Sequence, residues 1–120
     1  MSNKTQGSQR ECASRHKLEI KNYCVTRTKN NKNTPDLLCF TKKPLNNHRE
    51  VFAVEVKSTI KKHWYPSPRE KQQFINFTNW SINNKAKVFY HIWIKQNHKW
   101  TLYKHTLEQV KKLYFKKVNE

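Results

Sequence analysis

The chain has 120 residues and a mass of 14.6 kDa, enough for one small domain and too little for multidomain machinery. Lysine and arginine number 25 against eight acids, a formal net charge of +17, so a polyanionic partner is expected. Seven of the eight acids are glutamate and Asp36 is the only aspartate, which makes the position of each acid informative in so basic a chain. Hydrophobic residues make up only 35%, but four Trp, five Tyr and six Phe can build a thin, aromatic-rich core, and such a core gains from dimerisation. No run approaches the ~18 apolar residues of a membrane span. Met1 to Arg10 is polar, without the apolar stretch of a secretory leader, and the expectation is a soluble intracellular protein. Cys12, Cys24 and Cys39 are odd in number and show no CxxC or Cys/His ligand spacing, so reduced, mostly buried thiols are expected rather than disulfides or zinc.

Residues 1–8, with the single glycine Gly7, read as a flexible polar arm before one domain over 9–120. Cys12, His16, Ile20 and Tyr23 recur at intervals of four, four and three, a weak helical stripe that predicts a first helix over Gln9 to about Lys21. YCVTRT (23–28) is β-branched and aromatic and predicts a strand, and the asparagine-rich KNNKN after it a loop. Pro35 then opens a second strand, Asp36 to Phe40, and VFAVEVKS (51–58) is a third. Alternation puts Val51, Ala53, Glu55 and Lys57 on one face of that strand, and Phe52, Val54, Val56 and Ser58 on the other. If the second and third strands form a hairpin centred on the 41–50 loop, paired residue numbers sum to about 91. Asp36 then lies opposite Glu55, with Lys57 on the same side.

Ser67-Pro68-Arg69-Glu70 has the order of an N-cap, a first-turn proline and a capping-box glutamate, and predicts a second helix running out at Asn83-Asn84. Phe74, Phe77 and Trp80, with Ile75 and Ile82, form its broad apolar side. Ala86 to Lys95 is apolar or aromatic at nearly every position and is the candidate central strand, covered on both faces. KWTLYK (99–104) alternates as a fifth strand after a QNHK turn, and Thr106 with Gln109 starts a last helix. The predicted fold is α/β, in the order α-βββ-α-ββ-α, and His91, His98 and His105 read as strand and turn residues.

Two opposed carboxylates repel each other, and burial raises their pKa values, so the pair needs compensation. A hard divalent cation supplies it: Mg²⁺ accepts one or two carboxylates, keeps several waters and can activate one of them against a phosphodiester. Lys57 could position that water or balance charge on the phosphate. The bland alternative makes Glu55 and Lys57 the polar face of a half-exposed strand.

PDLLCF followed by VFAVEVKST resembles the signature of the PD-(D/E)XK, restriction-endonuclease-like nuclease superfamily. More closely, the chain resembles the archaeal Holliday-junction resolvases. Gly7-Ser8-Gln9-Arg10-Glu11 stands where that family has Gly-x-x-x-Glu, Arg27 where an arginine ends its first strand, KSTIKKHWY where a lysine-rich stretch ends in tyrosine, and Trp100 where its last strand has tryptophan. The resemblance implies a mixed five-stranded sheet flanked by helices. It implies Mg²⁺ (or Mn²⁺) held by Asp36, Glu55 and the Val56 carbonyl, with Glu11 reaching the metal directly or through water, and Lys57 as the catalytic lysine. It further implies a homodimer that resolves four-way DNA junctions by paired nicks in a prokaryotic or virus-infected cell. Arg10, Arg27, Lys29, Lys32, Lys61, Lys62 and His63 are candidate phosphate contacts, and Asn30 or Asn31 stands where the family has a loop serine. Trp80 or Phe77, with a sheet edge, is the candidate dimer contact. For Glu11 the alternative is a first-turn acid favoured by the helix dipole. Two other functions stay open: a VRR-type nuclease, suggested by Gln72 or Gln73 early in the second helix, and a non-catalytic nucleic-acid binder.

Overall fold

The computed structural model describes the backbone of residues 3–28, 34–42 and 49–119, and within these the side chains from 7 to 114. The elements are α1 (Asn3–Ile20), β1 (Tyr23–Arg27), β2 (Leu37–Thr41), β3 (Val51–Thr59), α2 (Pro68–Asn84), β4 (Lys87–Gln96), β5 (Lys99–Thr106) and α3 (Leu107–Asn119). The five strands form one mixed sheet in the order β1-β2-β3-β4-β5. Only the β3–β4 pair is parallel, α2 being its crossover; the other pairs are antiparallel. The expected element order is therefore observed. The expected central strand is not: β3 holds the centre, and β4 lies between β3 and β5.

The β2–β3 hairpin has the predicted register, with Leu37 opposite Val54 and Phe40 opposite Val51. Alternation along these strands builds two cores. On one face Ala53, Val88, Tyr90, Ile92 and Ile94 pack with Trp64, Phe77 of α2 and Val110 of α3. On the other, Leu37, Cys39, Phe52 and Val54 pack under Leu18 of α1. Burial pushes the Cys39 thiol up to about 12. Of the expected buried thiols only Cys39 is deeply buried; Cys24 is half-buried and Cys12 exposed, and all three are free.

Three expectations about the helices need correction. First, α1 begins at Asn3, six residues before the predicted start, so residues 3–8 belong to the helix and Glu11 lies in its third turn rather than its first. Second, α1 buries Ser14 and Leu18 rather than the Cys12–His16–Ile20 stripe, and Ile20 is exposed. Two positions on a helix are about 200° of rotation, so the inward face is nearly opposite the predicted one. Ser14 is bonded there: Trp93 Nε1 donates to Ser14 Oγ at 2.8 Å, and Ser14 Oγ lies 3.0 Å from Nδ1 of the buried His91. Third, α2 turns Phe77 fully inward with Trp80 packed on the same core, while Ile75 and Ile82 are exposed. Phe77 thus belongs to this chain's own core, and Trp80, partly buried, packs against it.

The helix starts follow the sequence. Ser67 Oγ accepts from Glu70 N at 3.3 Å and Glu70 Oε1 accepts from Ser67 N at 3.0 Å, a complete capping box. Thr106 and Gln109 exchange the same pair of bonds at α3. Ser67→Ala should lower stability by about 1 kcal/mol, read as an earlier urea midpoint at unchanged m-value. Asn97 and His98 both have positive φ, 50° and 65°, the two-residue turn that matches strand twist in the β4–β5 hairpin.

Candidate active site

Pro35 and Asp36 form the entry to β2. Thr28, just past β1, holds this corner: its Oγ1 donates to Pro35 O at 2.7 Å, and its backbone N to Asp36 O at 2.9 Å. Extending the hairpin register by one residue brings Asp36 opposite Glu55, and two reciprocal bonds lock the pair. Asp36 N donates to Glu55 Oε1 at 3.1 Å, and Val56 N donates to Asp36 Oδ2 at 2.9 Å.

Glu55 is 4% exposed. Burial, and after it the charge of Asp36, pushes its pKa up to about 8 against the opposing pull of Lys57. Lys57, two residues on and on the same face, places Nζ 3.1 Å from Glu55 Oε2. It also donates to Gln73 Oε1 at 2.7 Å and lies 3.4 Å from Glu70 Oε2. Three oxygens thus match the three protons of the ammonium and fix its direction. Beside Glu55 lies Tyr90, its register partner across the parallel β3–β4 pair; burial, and then the charges of Glu55, Glu70 and Asp36, push its phenol up.

No family model and no curated protein matches the chain. Among solved structures it is similar to Hjc, a Holliday junction resolvase from the archaeal hyperthermophile Archaeoglobus fulgidus. The TM-score is 0.62 at 16% sequence identity, covering 86% of this chain and 74% of that one. The fold is the restriction-endonuclease-like one.

Within the restriction-endonuclease-like fold, the expected site residues fall into two groups. Asp36, Glu55, Val56 and Lys57 converge at the β2–β3 hairpin. Glu11 approaches from α1 and pairs with Arg27, the last residue of β1, at 2.6 Å. Burial first, and the charge of Asp36 second, raise the Glu11 pKa, with Arg27 opposing. Among the described residues no three His, Cys, Asp or Glu side chains surround one point as a metal cage would require. The set that the resemblance implies, the carboxylates of Asp36 and Glu55 with the Val56 carbonyl, is all hard oxygen. It fits Mg²⁺, which retains water on its remaining positions. Asp36, Glu55 and Glu70 thus gather round the single ammonium of Lys57, a cluster of acids in a chain of +17.

Arg10, a candidate phosphate contact on α1, lies against two indoles. Its guanidinium lies over Trp93 at 5.2 Å and Trp100 at 4.7 Å, and its Nε is buried without a hydrogen-bond partner. Arg27 is half-exposed beside Glu11, and Lys61, Lys62 and His63 are exposed on the connection after β3. Lys29, Asn30, Asn31 and Lys32 lie outside the described residues.

Sequence reasoning missed the Thr28 clamp, Tyr90 beside Glu55 and the grip of Glu70 and Gln73 on Lys57. A signal for the last existed. Glu70 and Gln73 are three apart on a well-marked helix and so share a face, and a capping-box glutamate has a second oxygen to offer.

Proposed function

We propose that the chain is a Mg²⁺-dependent DNA endonuclease that cuts branched DNA, four-way junctions foremost, as a two-fold homodimer. The observation that carries this reading is the opposed Asp36–Glu55 pair with Lys57 clamped beside it, at the hairpin register that the motif requires. Asp36, Glu55 and the Val56 carbonyl would hold the metal, which when bound supplies Lewis-acid polarisation of a phosphoryl oxygen and an acidified water. The chain's own residues do the rest. Lys57 presents a cation where negative charge develops on the phosphate, and Glu70 and Gln73 keep it from swinging away. Arg27, Lys61 and Lys62 attract the phosphate backbone without reading sequence. The junction reading calls for a C₂ dimer, because paired nicks need two symmetric sites.

Cleavage of a four-way junction in preference to a flap and to plain duplex tests the substrate assignment. A flap preference would instead favour the VRR-type reading, which the Gln73–Lys57 bond also supports. Binding should be steeply salt-dependent: with 6–10 phosphate contacts, affinity falls by about 10³–10⁵ between 50 and 200 mM salt, measured by fluorescence anisotropy in EDTA.

A further inference from the structure

A second feature lies on the same sheet face as Lys57. Ile92, the register partner of Lys57 on β4, begins the floor of a cavity of about 410 Å³, within the ~300–1,000 Å³ of small-ligand sites. Its walls come from the connection after β3, carrying Lys62, His63 and Tyr65, and from β5, carrying Tyr103 and His105. No Asp or Glu lines it, so a cationic ligand has no counter-charge there, whereas an anion meets Lys62. The rings supply stacking surfaces, and Tyr103, 48% exposed, stands open to solvent. His105, half-buried, adds an imidazole to the lining. Aromatic faces, imidazoles and a lysine together suit a flat polar heterocycle bearing an anion. The volume is enough to admit one nucleotide.

We propose that this cavity receives a single unpaired nucleotide of the DNA, its base stacked on Tyr103 and bonded by His105 and its phosphate at Lys62, so that the enzyme prefers branched DNA with an unpaired nucleotide beside the scissile strand. This rests on the nuclease reading and names the substrate feature that the site would recognise.

The test uses the full chain in EDTA and a forked DNA with one unpaired nucleotide at the branch, compared with the same fork abasic at that position. The wild type should bind the nucleotide-bearing fork about tenfold more tightly, the effect of one stacked base. Tyr103→Ala should erase that difference while binding the abasic fork as the wild type does, and Tyr103→Phe, which keeps the ring, should preserve it. Equal affinity of the wild type for the two forks overturns the cavity assignment, as does a difference that survives in Tyr103→Ala. If equal affinity accompanies Mg²⁺-dependent nicking of both forks, only the cavity assignment falls; if neither fork is bound or nicked, the nuclease reading falls with it.

Discussion

Asp36→Asn should leave the affinity for four-way DNA within about twofold of wild type and lower nicking in Mg²⁺ by about 10²–10³ or more, the scale of removing one electrostatic stabiliser of the transition state. The substitution is nearly isosteric. The asparagine carbonyl can still accept from Val56 N, the bond that Asp36 Oδ2 makes at 2.9 Å, so the β2 corner keeps its anchor and the fold its register. What disappears is the negative charge opposite Glu55, and with it half of the carboxylate pair proposed to hold the metal. Circular dichroism of the variant should match wild type, and anisotropy and gel assays on one DNA preparation then separate binding from cutting. Nicking at the wild-type rate would place the chemistry elsewhere.

The second large effect is on stability against pH, where two buried groups act in opposite directions. Glu55 has its folded pKa raised from 4.5 to about 8, so between those values the native state holds a proton that the unfolded chain releases. Its contribution is fully present below about pH 4.5 and is lost as pH rises through 8. His91 has its folded pKa lowered from 6.5 to about 4, by burial first and then by the charges of Lys104, Lys21 and Lys17. Its contribution is present above 6.5 and lost as pH falls through 4. Each is on the order of a few kcal/mol. Relative to wild type without metal, Glu55→Gln should therefore gain stability as pH rises from 5 to about 8, while His91→Gln should gain as pH falls from about 7 to 4. Urea titrations across that range read both. A Glu55→Gln difference that does not change with pH would contradict the burial of an ionisable carboxyl at that position.

How much of this was legible in the residues depends on the range of the interaction. The β2–β3 hairpin was readable because strand alternation and loop centring fix both face and register from local sequence, and Asp36, Glu55 and Lys57 follow from it. The caps at Ser67 and Thr106 were readable for the same reason. Tyr90 was not, since its place beside Glu55 depends on a parallel register set by how α2 crosses the sheet. The face of α1 was misjudged because a polar residue, Ser14, is buried beside Leu18, bonded to His91 and Trp93 nearly eighty positions away. Arg10 reads as a phosphate contact in a basic chain, and only the sheet shows the indoles of Trp93 and Trp100 against it.

On the proposed function, Asp36, Glu55 and Lys57 turn a basic surface that binds DNA into one that cuts it. Incubating the wild-type chain with a four-way junction, each strand end-labelled in turn, in Mg²⁺ and in EDTA tests it most directly. Paired nicks on opposing strands are expected in Mg²⁺ and none in EDTA, with binding in both. Binding in both with no nick in either would show a nucleic-acid binder whose carboxylate pair has no catalytic role.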